Sequence, residues 1–142
     1  MNPEGVQSTT SIPSAPERRI LVVDDDEGMR DMLSYLLSRL GYRVTLAENG
    51  EQAFDLFSRD SFSLVMTDFC MPVMDGFALA ERVKVHSPDT PIIMITGSQI
   101  QEGLQQQCVD YIIPKPFQLD EVHKAVERAL ASVRESRVKL DA

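Results

Sequence analysis

The sequence is poor in three features, and each shortage excludes a class of protein. It has two cysteines, Cys70 and Cys108, too far apart in the chain for the paired spacing of a zinc site or a disulfide framework. No apolar run approaches the roughly 20 residues that a membrane-spanning helix needs. Basic residues are also few, since 14 Lys and Arg against 22 Asp and Glu give a net charge of −8. This charge argues against direct binding of nucleic acid or of an anionic membrane surface, because both depend on clustered cations.

The first 17 residues are rich in Pro, Ser, Thr and Gln and contain little that a core would bury. This composition predicts a disordered leader over 1–17. The leader lacks the basic start and the apolar segment of a secretory signal. With two unpaired cysteines, these features predict a cytoplasmic protein. We expect one globular domain over 18–133 and a charged C-terminal tail over 134–142.

Short apolar runs alternate with amphipathic helical patterns along 18–133. The runs that predict strands cover 20–23, 42–47, 63–67, 91–96 and 111–113. Most of them are apolar throughout, as in strands buried on both faces, whereas 42–47 alternates like a half-exposed edge strand. Strands that alternate with helices form a parallel sheet with right-handed crossovers. The sequence therefore predicts an α/β fold, a doubly wound five-stranded parallel sheet with helices on both faces.

Polar side chains follow four of these strands at their carboxyl ends, where ligands bind in such sheets. Asp24 and Asp25 follow the first strand, Asp68 follows the third, Thr96 is the last residue of the fourth, and Lys115 comes just after the fifth. Crowded carboxylates repel one another, and a hard divalent cation relieves that repulsion. A carboxylate can also act as a nucleophile and form an aspartyl phosphate. The alternative is that Asp24, Asp25 and Asp26 are only a cluster of negative charges at a helix N-terminus, where the helix dipole stabilises them. Asp26, where a helix begins, is better explained as a cap than as a ligand.

Four motifs give the chain a resemblance to a known family, and each lies on the expected element. The motifs are ILVVDDD, DFCMPVMDG, MITG and PKPF. From about Arg19 to about Val133 the chain resembles the receiver domain of two-component response regulators. The resemblance implies a flavodoxin-like sheet with strand order 2-1-3-4-5. It also implies that Asp68 accepts a phosphoryl group from a sensor histidine kinase or a phosphotransfer protein, and that a change of conformation then carries the signal. The output would be a downstream protein partner or an effector domain lost from this sequence.

The same resemblance implies a magnesium site. Asp24 and Asp25 would be its acidic pair. Asp25 and Asp68 would bind Mg²⁺ directly, Asp24 would bind through water, and the backbone carbonyl of Cys70 would be the third protein ligand. Because a carbonyl serves there, the unusual cysteine side chain does not put the metal site in doubt.

Residues at the last two strand ends would bind the phosphoryl group and transmit its effect. The resemblance implies that Thr96 is the switch hydroxyl and Lys115 the phosphate-binding lysine. It also implies a cis peptide bond before Pro116.

One part of the pattern departs from the family. Most relatives have an aromatic residue three positions before the lysine, where this chain has Ile112, and Tyr111 comes one position earlier. In a strand an offset of one residue moves a side chain to the opposite face. We therefore predict that Tyr111 is not the usual rotamer switch. The Gln-rich segment 97–107 predicts a short or irregular helix.

Two other functions fit the same fold. One is a protein-interaction module that works without phosphate, although the acidic cluster argues against it. The other is a magnesium-dependent phosphatase with an aspartate nucleophile. Such enzymes have a second Asp two residues after the nucleophile, where this chain has Cys70.

Overall fold

The computed structural model describes residues 18–97 and 108–141, with side chains in 18–97 and 108–132. These ranges contain five strands and four helices, which alternate except that the last two strands are separated by the residues outside the described ranges. The strands are β1 (Arg19–Val23), β2 (Arg43–Ala47), β3 (Leu64–Asp68), β4 (Ile92–Thr96) and β5 (Tyr111–Pro114). The helices are α1 (Glu27–Arg39), α2 (Gly50–Arg59), α3 (Gly76–His86) and α4 (Leu119–Asp141).

The five strands form one parallel sheet in the order β2-β1-β3-β4-β5. This arrangement confirms the predicted fold class and strand order. The chain reverses its direction across the sheet between β1 and β3, which is where parallel α/β sheets bind ligands. The carboxyl ends of these two strands are occupied by aspartates.

The core lies in two layers, one on each face of the sheet. Alternate residues of the central strands point to opposite faces, so Leu64 and Met66 pack with α1 and α4, while Val65 packs with α2 and α3. All residues of β3 and β4 are buried, which explains their continuous apolar runs. Strand β2 is half-exposed at the edge, as its alternating pattern predicts.

Three helices begin with an N-cap at the end of the loop that follows a strand. Asp26, Asn49 and Asp75 each accept a hydrogen bond from the backbone N–H three residues later, which satisfies one of the unpaired donors of the first turn. The predicted cap role of Asp26 is therefore confirmed. After α1 the chain turns at Gly41, whose φ of 99° is a conformation that glycine adopts readily.

Two predictions lie wholly or largely outside the described residues: the disordered leader over 1–17 and the irregular helix within 97–107, of which 98–107 are not described. At the C-terminal end, α4 continues to Asp141, eight residues beyond the predicted domain boundary at 133. It contains no glycine or proline, the residues that most disfavour a helix interior. No helix in the described part of the chain is long and apolar enough to cross a membrane.

Candidate functional site

Three aspartates meet at the carboxyl end of the sheet. Asp24 and Asp25 follow β1, and Asp68 is the last residue of β3. One carboxylate oxygen from each lies within 4.8 Å of the others. Asp24 is 1% exposed and Asp68 6% exposed, whereas Asp25 is exposed. The parallel pairing of β1 with β3 brings together carboxylates more than 40 residues apart in sequence.

The two carboxylate oxygens of Asp24 differ in their hydrogen bonding. Its Oδ1 accepts a hydrogen bond of 2.9 Å from the Asp26 N–H, but among the described residues its buried Oδ2 has no partner. Burial raises the pKa of Asp24, and the nearby charge of Asp68 adds to the effect, although the Asp26 N–H opposes it. A buried carboxylate oxygen without a donor is destabilising. This oxygen is therefore ready to receive a cation or a water molecule.

Lys115 is the cation of the site. Its Nζ donates a hydrogen bond of 3.2 Å to Asp68 Oδ1. The backbone N–H of Lys115 donates to the Thr96 carbonyl at 2.8 Å, and the Lys115–Pro116 peptide bond is cis. Burial raises the pKa of Asp68, and the lysine opposes that shift without cancelling it. One ammonium thus faces three carboxylates.

Thr96 lies at the same edge of the sheet and is 3% exposed. In the β3–β4 pairing Asp68 aligns with Ile95, so Thr96 is one position further along the neighbouring strand. In the β4–β5 pairing Thr96 aligns with Pro114. Thr96 therefore ends β4 and Lys115 directly follows the adjacent strand β5, so the structure brings both of them to the end of the sheet that holds Asp68.

Thr67 and Gly76 support the backbone of Asp68, and the sequence analysis missed both roles. The buried Thr67 hydroxyl donates a hydrogen bond of 2.9 Å to the Asp68 carbonyl. A Cβ at Gly76 would collide with that carbonyl and lie 3.0 Å from Phe69 Cα. The Gly76 N–H donates to the Phe69 carbonyl at 2.8 Å. The Asp75-Gly76 pair signals a turn in the sequence, but it does not show that the turn folds back onto Asp68.

Arg30 is a third supporting residue that the sequence analysis missed. It lies near the start of α1, is half-buried, and donates a hydrogen bond of 2.8 Å from Nη1 to the Asp24 carbonyl. A cation near a helix N-terminus is disfavoured by the helix dipole. The unfavourable position of Arg30 in the first turns of a helix was therefore the sequence feature that could have indicated a specific role for it.

The loop that follows Asp68 forms one wall of an open groove. The groove is lined by Asp25, Phe69, Cys70, Met71, Pro72 and Asp75. The Cys70 side chain is exposed, and Cys70 shares the groove with Asp25, as its proposed carbonyl contact with a metal requires. Val73 in the same loop is 88% exposed and has a φ of 71°, a left-handed conformation that is unfavourable for a β-branched residue.

Tyr111 and Ile112 point to opposite faces of the sheet. Tyr111 packs against the core layer that contains Ile113 and α4. Ile112 aligns with Met94, whose side chain belongs to the other layer, and is 41% exposed. The one-residue offset thus has the geometric effect expected from a period of two. That Tyr111 does not act as the rotamer switch stays a prediction.

The donor set suits a hard divalent cation. Carboxylates and carbonyls are the oxygen ligands that such ions prefer, and the unpartnered Asp24 oxygen shows that the described residues do not neutralise this cluster by themselves. In the described part of the chain, the side chains grouped closely enough to hold a cation are those of Asp24, Asp25 and Asp68, and the contribution of the Cys70 carbonyl stays a prediction.

Comparisons with known proteins agree with one another. A family model described as the response regulator receiver domain matches residues 20–127. The regulatory protein AtoC of Escherichia coli (strain K12) is 38% identical over 116 residues, which are 79% of this chain and 25% of AtoC. The response regulator receiver protein CpdR of Brucella abortus (strain 2308) is 35% identical over 116 residues, 80% of this chain and 97% of CpdR.

A solved structure supports the same assignment. The response regulator TrrA of Thermotoga maritima, in complex with Mg²⁺-BeF, superposes with a TM-score of 0.76 at 33% identity, covering 80% of this chain and 99% of TrrA. The chain spans about a quarter to a half of the length of most curated relatives that it matches. The similarity therefore concerns one domain of those longer proteins.

Proposed function

This chain belongs to the response regulator receiver domain family, whose members act as signalling switches in two-component systems, and we propose that Asp68 is its phosphoacceptor. One observation carries the proposal. The Asp68 carboxylate is 6% exposed at a strand end, 3.2 Å from the Lys115 ammonium, and clustered with the Asp24 and Asp25 carboxylates. A nucleophilic carboxylate needs both a fixed position and a nearby cation.

The reaction is a transfer of one phosphoryl group. A carboxylate oxygen of Asp68 forms a bond to phosphorus as the P–N bond to the donor's histidine breaks, and the leaving imidazole takes up a proton. The Lys115 ammonium would balance part of the charge of the transferred group, and the Thr96 hydroxyl would donate a hydrogen bond to it. Hydrolysis ends the signal: a water oxygen forms a bond to phosphorus as the P–O bond to Asp68 breaks, which releases inorganic phosphate and regenerates the carboxylate. The chain's own residues support both steps, so we infer slow self-phosphorylation from small donors and slow self-dephosphorylation.

Mg²⁺ is the proposed cofactor. Asp25, Asp68 and the Cys70 carbonyl would bind it directly, and Asp24 would hold one of its waters. When bound, the ion supplies positive charge that neutralises the phosphoryl oxygens and the acidic cluster. The complex of TrrA with Mg²⁺-BeF supports this choice of ion.

The partners follow from the family. We propose that a sensor histidine kinase or a phosphotransfer protein donates the phosphoryl group in the cytoplasm. The output is a protein partner or an effector domain elsewhere in a longer protein. The length of relatives such as AtoC, of which this chain spans 25%, supports the second route, and the near-complete coverage of CpdR supports the first.

The test is the intact mass of the protein after incubation with acetyl phosphate, with and without Mg²⁺. We expect one phosphoryl group on the wild-type chain with Mg²⁺ and none without it. Asp68→Asn should gain none under either condition, because an amide is not a competent nucleophile.

Asp110→Asn is the matched control, since it makes the same change in the Lys84–Asp110 pair at the opposite end of the sheet and should leave the phosphoryl group on Asp68. Labelling of Asp68→Asn at the wild-type rate would show that the acceptor is another residue. No labelling of the wild-type chain would favour an interaction module that works without phosphate.

A further inference from the structure

Arg30 reaches from α1 back to the strand end that carries the acidic pair. Its Nη1 donates a hydrogen bond of 2.8 Å to the backbone carbonyl of Asp24. The Asp24 N–H bonds to the Ala47 carbonyl at 3.1 Å, which extends the β1–β2 ladder by one residue. Strand β1 ends at Val23, and the guanidinium supplies a donor to the Asp24 carbonyl beyond that end.

This contact fixes the peptide unit that joins Asp24 to Asp25. Hydrogen bonds from a charged donor are stronger than those between neutral groups, and Arg30 is half-buried, so water competes less for the carbonyl. Asp25 is exposed and directly follows Asp24, so its backbone N–H belongs to the same peptide unit as the carbonyl that Arg30 binds. Its position therefore depends on the backbone that Arg30 holds.

The geometry and the charge of Arg30 have opposite effects on a bound cation. A positive side chain close to a cation site repels the ion and weakens its binding. A side chain that orients a ligand strengthens binding, because the ligand does not have to be ordered when the ion arrives. The sign of the change in affinity on removing Arg30 therefore distinguishes the two roles.

We propose that Arg30 is a positioning residue for Mg²⁺, which orients Asp25 by holding the Asp24–Asp25 peptide unit. The inference rests on the proposed function, because it assumes that Asp25 is a ligand. Arg30 donates to a backbone carbonyl at the site, and its proposed contribution is to the affinity of the site for the ion.

The experiment is a calorimetric titration of the metal-free chain with Mg²⁺ at constant ionic strength. Removing a partner that orients a metal ligand typically weakens metal binding by about 10-fold to 100-fold, so we expect Arg30→Met to raise Kd for Mg²⁺ by about 10-fold. Arg30→Lys keeps the charge and part of the length of the side chain, so its affinity for Mg²⁺ should lie between those of the wild-type chain and Arg30→Met. Arg39→Met is the matched control, since Arg39 is the last residue of the same helix and should leave Kd unchanged.

Unchanged or tighter Mg²⁺ binding by Arg30→Met would overturn the proposal and leave Arg30 with a purely electrostatic or structural role. Circular dichroism checks that the variant is folded. If Arg30→Met does not fold, Arg30→Gln provides the decision, because it also removes the charge and shortens the side chain. A wild-type chain that binds no Mg²⁺ would instead refute the proposed function, and this inference with it.

Discussion

Two lysine–aspartate pairs occupy opposite ends of the sheet and differ in their surroundings. At the amino end of β4, Lys84 Nζ lies 2.9 Å from Asp110 Oδ2. The same oxygen accepts the Ile92 N–H at 2.8 Å, and Lys84 also donates to the Thr90 carbonyl at 2.8 Å. This pair therefore connects α3, β4 and the start of β5 through hydrogen bonds to the backbone.

At the carboxyl end, Lys115 and Asp68 form the longer pair, at 3.2 Å. They share their site with Asp24 and Asp25, so negative charge exceeds positive charge, and Asp24 Oδ2 has no partner in the described part of the chain. The difference shows that the charges of the Lys84–Asp110 pair are balanced by each other and by backbone hydrogen bonds. The cluster at the carboxyl end needs a bound ligand to balance its negative charge. Binding sites commonly retain such local destabilisation.

The largest expected effect is on the rate of phosphorylation, which should depend on Lys115 and not on Lys84. Lys115→Met should slow phosphorylation of Asp68 by about 100-fold or more, the usual effect of removing a group that stabilises transition-state charge. Lys84→Met should leave the rate essentially unchanged but lower the free energy of unfolding by about 1–3 kcal/mol. Time courses of intact mass measure the first effect and urea denaturation the second. A large loss of rate in Lys84→Met would break the comparison.

Mg²⁺ should stabilise one end of the sheet without involving the other. At a free concentration 100 times Kd, an ion that binds only the folded chain adds about 2.7 kcal/mol to the free energy of unfolding. Asp25→Ala should lose this gain, whereas Asp110→Asn should start from a lower Tm and keep the full Mg²⁺-dependent increase. Thermal denaturation with and without Mg²⁺ checks both. An intact Mg²⁺ response in Asp25→Ala would contradict its assignment as a ligand.

The Asp24 carboxylate, whose Oδ2 has no partner among the described residues, should destabilise the fold of the metal-free chain. We expect Asp24→Asn to raise the free energy of unfolding by about 1–3 kcal/mol, since an unsatisfied buried polar group costs about that much. Asp110→Asn should instead lower it, because it removes a charge that Lys84 balances. Urea denaturation in the presence of a chelator provides the measurement, and a loss of stability in Asp24→Asn would show that this carboxylate is already satisfied.

The difference in free energy of unfolding between Asp24→Asn and the wild-type chain should decrease as the pH falls. Burial holds the pKa of Asp24 above its ordinary value of 3.8, so the folded chain takes up this proton more readily than the unfolded chain. The destabilisation is complete above the raised pKa and is relieved as the pH falls from that pKa towards 3.8. Denaturation curves of both proteins across this interval should converge. Curves that diverge there would mean that the pKa of Asp24 is lowered.

The smallest expected effect concerns backbone strain, which also lies at the carboxyl end. Val73→Asn should raise the free energy of unfolding by about 1 kcal/mol, because asparagine tolerates a positive φ better than a β-branched residue. Val85→Asn is the matched control. Val85 is similarly exposed at 86% but lies in α3, where valine and asparagine have similar helix propensities. Equal changes in the two variants would remove strain as the cause.

The periodicity of the sequence was sufficient to locate the five strands. The strand predicted over 91–96 is observed as Ile92–Thr96, because a fully buried strand requires an apolar residue at nearly every position. Asp68 was predicted as a site residue because polar side chains occur at the carboxyl ends of four predicted strands, and because the motif that contains it resembles a receiver domain. The extension of α4 to Asp141 was not predicted, since its last turns are charged and carry a weaker apolar pattern.

The sequence by itself determined which residues reach the carboxyl end of the sheet, because strands follow from local pattern and their alternation with helices implies a parallel sheet. Only the tertiary structure decided how those residues are satisfied. Lys115 and Asp68 are 47 residues apart, and Lys84 and Asp110 are 26 apart, so nothing local distinguishes a functional pair from a structural one. Whether a buried oxygen finds a donor depends on distances of a few tenths of an ångström between distant segments. For this reason the unpartnered oxygen of Asp24 became visible only in the folded chain.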